Sequence, residues 1–124
     1  MKPREPATAT LAVQDFDRLA STFSDDVHMR ALLPAELREW DGPDQVAATF
    51  SRWFGNTQQF ELIGSIDEIG SRLHVWWHAR LRAERLGEGW FVVEQQAYVD
   101  TDDHDQIRHV SLVCSGYLAE SPVR

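Results

Sequence analysis

The feature that most constrains this chain is the alternation in RLHVWWHARLRAE, residues 72–84. Leu73, Val75, Trp77, Ala79, Leu81 and Ala83 take the odd positions; His74, Trp76, His78, Arg80, Arg82 and Glu84 take the even ones. A period of two belongs to a β-strand with one apolar and one polar face, because successive side chains leave opposite sides of the pleat. His74 and His78 have the spacing of a metal-binding pair on a helix. On a strand they lie about 13 Å apart, at roughly 3.3 Å per residue, too far to share an ion. The stretch therefore specifies a sheet and argues against a metal site.

Its neighbours extend the sheet. FELIGSIDEI, WFVVEQQAYV and IRHVSLVCSGYL read as further strands, separated by turns at Gly70-Ser71, at 87–89 and in the polar run 100–106. Long strands with short turns describe an antiparallel meander. Upstream the period changes. DGPDQVAATFSRWFGN is the strongest helix, started by Asp41 and Pro43 and stopped by Gly55-Asn56, with Val46, Phe50, Trp53 and Phe54 as its apolar stripe. Phe16, Leu19 and Phe23 recur at helical spacing behind a cap at Asp15, and PATATLAV forms a weak helix starting near Pro6. VHMRA (27–31) alternates as a strand, and LLPAELREW is irregular with one helical turn. Helices first and a meander afterwards is an α+β order.

The 124 residues fit one domain spanning 1–124, and 43% apolar content is that of a folded globular chain. The net charge of −8, with scattered basic residues, excludes the basic footprint that nucleic acid or an anionic membrane requires. No window reaches the apolar length of a membrane span, and the amino-terminal residues lack a signal-peptide core, so the reading is a cytoplasmic protein. Cys114, the only cysteine, permits no intrachain disulfide and reads as an inert buried thiol. The acidic turn 100–106 lacks the glycine and glutamate of a calcium loop. No metal and no cofactor is expected.

Two residues break the pattern usefully. Trp76 lies on the polar face, in line with Val92, Tyr98 and Val113. An aromatic patch with a polar rim marks a protein interface, and a homodimer through this outer face, burying Trp76 and Tyr98, is the expectation. Within Glu94-Gln95-Gln96, parity carried back from Val99 and Ala97 turns Gln95 inward. A buried glutamine amide needs partners, from the protein or from a ligand.

The run DFDRLASTFSDDV, followed by WDGPDQVAATF and the long meander, resembles the nuclear transport factor 2 (NTF2)-like superfamily, and within it the SnoaL-like, polyketide cyclase-like branch. The resemblance spans roughly residues 7–118. It implies an NTF2-like cone, in which a curved antiparallel sheet wraps around amino-terminal helices and encloses an apolar pocket. It also implies a dimer through the outer sheet face. Where steroid isomerases of this superfamily keep a general-base aspartate the chain has Ala31, and where they keep a helix tyrosine it has Ala7. Their acidic oxyanion donor falls near Gln95, and the last-strand aspartate of the epoxide hydrolases and cyclases near Leu112. The expectation is a site without the usual acids and bases that binds a small hydrophobic molecule against Met29, Trp40, Trp53, Phe54, Trp77, Gln95 and Leu112. Trp40 would sit near its mouth. The alternatives are an isomerase or cyclase of polyketide-cyclase type, and a dimerising interaction module with no ligand.

Overall fold

The computed structural model describes residues 11–69 and 72–120. The expected helix near Pro6 falls largely outside them, as does the turn at Gly70-Ser71. The elements run α1 (Phe16–Ala20), β1 (Phe23–Leu32), β2 (Leu37–Asp41), α2 (Pro43–Phe54), β3 (Gln59–Ile69), β4 (Arg72–Arg82), β5 (Phe91–Thr101), β6 (Ile107–Cys114) and β7 (Leu118–Ala119). The strands form one curved, unclosed sheet in the order β2-β1-β6-β5-β4-β3, with β7 also paired to β5. This is an α+β fold.

The meander from β3 to β6 is antiparallel throughout, with Trp77 opposite Gln95 and Gln95 opposite Cys114. The β5–β6 register slips by one residue between Asp100 and Thr101. In the turn beyond, the Asp102 carboxylate accepts the N–H groups of His104 and Gln106, so the acidic run satisfies its own backbone. These bonds hold the carboxyl below its ordinary range, the bond from Gln106 acting most strongly.

The first third of the chain differs from the sequence reading in three ways. Phe23 opens β1 instead of closing α1. The Ser21 and Thr22 hydroxyls donate to the carbonyls of Arg18 and Leu19, which competes with helix continuation. The segment read as irregular contains strand β2, folded back on β1 through a turn at Leu33–Glu36 closed by reciprocal backbone bonds. The β1–β2 hairpin therefore separates the two helices. Finally, β1 lies beside the last long strand and runs parallel to it, with Met29 opposite Val110 and Ala31 opposite Leu112.

Gly42 joins β2 to α2 at φ 88, a left-handed backbone that glycine adopts without a Cβ penalty, and its N–H reaches the Val27 carbonyl. Pro43 occupies the first turn of the helix, where no N–H is required. The helix buries Val46, Ala47, Thr49, Phe50 and Phe54. Its carboxyl end is held from a distance in sequence. Arg85 donates to the carbonyls of Arg52, Trp53, Gly55 and Asn56 at 2.9–3.3 Å, satisfying acceptors that a helix end leaves unpaired.

Arg85→Ala is therefore expected to destabilise the fold by about 1–3 kcal/mol, the range for charge-assisted hydrogen bonds. Urea unfolding checks this; Arg85→Lys should restore only part of the loss, because one ammonium cannot span four carbonyls.

Candidate functional site

The inner face of the sheet follows from parity. Leu73, Val75, Trp77, Ala79 and Leu81 on β4, and Val93, Gln95, Ala97 and Val99 on β5, are all buried. So are Met29 and Ala31 on β1, Trp40 on β2, and Val110 and Leu112 on β6. Small residues at Ala31, Ala79 and Ala97 alternate with large rings from β4 and α2. Phe50 lies between the two tryptophans, its ring 5.3 Å from Trp53 and 6.2 Å from Trp77. Trp53 also meets Trp40 edge-on at 5.9 Å.

Among the seven residues expected to line a ligand site, Met29, Trp40, Phe54, Trp77 and Leu112 are buried in one core cluster, Trp53 is packed half-buried against it, and Gln95 is buried as a polar residue. Trp40 is 9% exposed. Phe50, absent from that set, joins the α2 aromatics to Trp77. Its place in the helical stripe was visible in the sequence; its role as the bridge depends on how α2 crosses the sheet.

Gln95 is the polar exception on this face. Only 1% of its surface is exposed. Its Oε1 accepts the Trp77 indole N–H at 3.0 Å, across the register pair of β4 and β5. Its Nε2 has no hydrogen-bond partner. An amide NH2 buried without an acceptor costs about 1–3 kcal/mol, so the arrangement is unfinished as a purely structural network. The Trp77 bond fixes the amide orientation, which leaves Nε2 as a defined donor among apolar surfaces. The fully buried polar residues among those described are Ser24, Thr49 and Gln95, and none is ionisable.

On the other side of Gln95 the register partner is Cys114. Directly opposed residues of an antiparallel pair share a face, with Cβ atoms roughly 4.5–5.5 Å apart. Cys114 is half-buried and packs against the core, so it is less enclosed than the sequence reading of a buried thiol. Its Sγ accepts the Gly116 N–H at 3.3 Å. Tyr117 follows, half-buried, and its hydroxyl donates to the Trp53 carbonyl. Burial pushes that phenol above its ordinary pKa while Arg85 opposes the shift, so it stays protonated at neutral pH. Neither Cys114 nor Tyr117 belongs to the expected site. Pairing β6 with β5 from the hairpin alone misplaces Cys114, because the one-residue slip near Thr101 moves the register.

A second concentration of titratable groups lies on the outer face. His28 and His109 are register partners on the parallel strands, their rings stacked at 5.8 Å. With Asp26, Asp100, Thr101 and Arg108 they line an open groove of about 440 Å³. His28 Nδ1 is 2.7 Å from Asp41 Oδ1 and its Nε2 is 2.8 Å from Glu39 Oε1. Two ring nitrogens that each donate to a carboxylate require the imidazolium form. The Asp41 and then the Glu39 hydrogen bond raise the His28 pKa above 6.5. His74 and His78 instead bond across to Gln96 and Glu94 on β5, at 3.1 and 3.3 Å. Among the described residues, no group of three or more His, Cys, Asp or Glu is arranged to hold a metal ion.

Comparison with known proteins defines the fold. No family model matches the chain, and no curated protein matches it in sequence. Solved structures do match in shape. An NTF2-like protein of unknown function from Exiguobacterium sp. 255-15 superposes with a TM-score of 0.63 at 17% identity, over 90% of this chain and 93% of that one. A SnoaL-like protein from Shewanella putrefaciens CN-32 gives 0.67 at 10% identity, over 92% and 90%. An LEH-like epoxide hydrolase from M. tuberculosis gives 0.65 at 18% identity, over 90% and 78%. The chain has the NTF2-like fold, and identities this low carry the fold alone.

The His28 geometry has a pH signature. A folded-state pKa above the unfolded value of about 6.5 stabilises fully below that value, and the contribution is lost as pH rises through the folded pKa. The melting-temperature gap between wild type and His28→Gln should therefore be wide near about pH 5.5 and should narrow by about pH 8.5. Thermal melts of both proteins across that range check it.

Proposed function

We propose that the inner face of the sheet binds a small apolar molecule bearing a hydrogen-bond acceptor, and that Gln95 Nε2 orients it. The observation that carries this reading is the unpartnered, fully enclosed amide nitrogen beside an Oε1 that accepts the Trp77 indole N–H. Apolar ligand sites typically use a few placed polar groups against hydrophobic walls, and one fixed donor of this kind selects a carbonyl or ether oxygen. Met29, Trp40, Trp53, Phe54, Trp77 and Leu112 are the proposed walls.

Binding is favoured over proton-transfer catalysis by what surrounds the amide. The isomerase or cyclase alternative needs a general acid or base within hydrogen-bond reach of the substrate. Ala31 and Leu112, at positions where the resemblance implied acids, are buried and carry no proton to exchange. With no acid or base at either position, the reading is a carbonyl held by hydrogen bonding.

Thermal-shift screening and calorimetry with apolar ketones test the proposal. A ketone that stabilises the wild type should bind Gln95→Leu more weakly by about 1–3 kcal/mol, which is roughly 5- to 150-fold in Kd. Equal affinity for both proteins would remove Gln95 from the reading. Failure of every ketone to stabilise the wild type would favour the interaction module.

The outer face supports a companion proposal, the homodimer. Register places Leu32, Val113, Gln96 and Trp76 in one row across four strands, and Leu32, Val113 and Tyr98 expose 45–55% of their surface. Burying such a row against a second copy removes apolar area from water. Trp76→Glu should move the light-scattering mass from dimer to monomer. The same mass for both proteins would refute the outer-face interface.

A further inference from the structure

We infer that Cys114 and Gln95 together form a covalent capture site for α,β-unsaturated carbonyl compounds. This rests on the proposed binding of an apolar carbonyl ligand at Gln95 and names the reactive class within it. Two independent observations meet here. The first is the enclosed Gln95 Nε2 with no acceptor, which marks a place for a carbonyl oxygen. The second is the Cys114 thiol on the adjacent strand, opposite Gln95 in register and on the same inward face, only half-buried at the core margin. Gln95 turns Oε1 toward the β4 neighbour Trp77, which leaves Nε2 as the free arm of the amide.

An enone carries a carbonyl oxygen at one end of a conjugated unit and an electrophilic carbon at the other. With its oxygen on Gln95 Nε2, its β-carbon falls within the spacing of neighbouring strands, where Sγ is the available nucleophile. The thiol loses its proton to water and sulfur bonds to the β-carbon. The alkene π electrons move onto the carbonyl oxygen, where the Gln95 N–H stabilises the developing enolate. Protonation at the α-carbon completes the addition of S–H across the double bond, with no leaving group and no redox partner. The Gly116 N–H donates to Sγ at 3.3 Å, which positions the sulfur at the end of β6.

Gly116 holds this donor in place by a tight backbone approach. It adopts φ +81, and a Cβ there would come 2.7 Å from Pro34 Cγ. The sulfur and its donor therefore sit on a kink between β6 and β7 that tolerates no side chain at this position.

The experiment uses the full chain with benzylideneacetone, an apolar enone, and its saturated counterpart benzylacetone. Intact-mass spectrometry should show one enone mass added to wild type and none to Cys114→Ser. Benzylacetone should raise the melting temperature and slow the addition by occupying the same space. In Gln95→Leu the addition should slow on the order of tenfold or more, while alkylation by iodoacetamide keeps its wild-type rate. If Gln95→Leu does not fold, protection of the wild-type thiol by benzylacetone gives the same information. Thermal stabilisation by benzylacetone without any enone adduct would overturn the capture site and leave the binding reading standing. An adduct formed at the same rate in Gln95→Leu, or with no protection by benzylacetone, would show an ordinary thiol and overturn it as well. Absence of both stabilisation and adduct would defeat the two together.

Discussion

The strict alternation along β4 and β5 is the constraint from which the rest of the structure follows. Side chains at every second position must share a face, so Leu73, Val75, Trp77, Ala79 and Leu81 cannot be buried without something to cover them. The α2 stripe supplies part of that cover through Phe50 against Trp77, and its geometry explains the aromatic chain from Trp40 through Trp53 and Phe50 to Trp77. A curved sheet meets a straight helix along a line. Rings meet on either side of that line, and Ala31, Ala79 and Ala97 are the small residues of the inner face. The same alternation turns Gln95 inward, because Val93, Ala97 and Val99 could not be buried on β5 otherwise. The polar exception is thus a consequence of register, and its retention in an apolar face is what makes it informative.

Much of this was legible in the sequence, and the residues show why. Parity alone turns Trp77 and Gln95 inward, because a period-two pattern survives any uncertainty about strand ends, while their pairing across β4 and β5 is set by the register. The α2 boundaries followed from Pro43 and Gly55, whose backbone chemistry is local. Non-local features were hidden. The parallel pairing of β1 with β6 brings His28 beside His109 from opposite ends of the chain, and no local pattern encodes that juxtaposition. Strand β2 has five residues with one buried side chain, Trp40, too short to establish a period. The sequence makes Cys114 a strand residue, but its place opposite Gln95 is set by a one-residue slip in the β5–β6 hairpin that no local pattern encodes.

The two concentrations of chemistry lie on opposite faces of the sheet and differ in kind. On the outside, His28 is saturated: two carboxylates hold its two ring nitrogens, and the cost of fixing three exposed side chains limits what the cluster adds to stability. On the inside, Gln95 is half satisfied, its Oε1 bonded and its Nε2 not, with only 1% of its surface exposed. Low local polarity strengthens any hydrogen bond made there and raises the cost of one left unmade. A single unfilled donor in such a setting has more leverage over binding than a larger set of exposed charges.

That amide can be observed directly. Side-chain NH2 resonances of Gln95, assigned by their loss in Gln95→Leu, can be followed in nitrogen-proton correlation spectra while benzylacetone is added. Binding at Gln95 predicts a downfield shift of one Nε2 proton that saturates with the ligand, together with slowed exchange with water, while the Trp77 indole resonance stays in its hydrogen-bonded position. Saturable shifts elsewhere in the protein with the Gln95 amide unmoved would place the ligand at another site and contradict the claim that this donor organises binding.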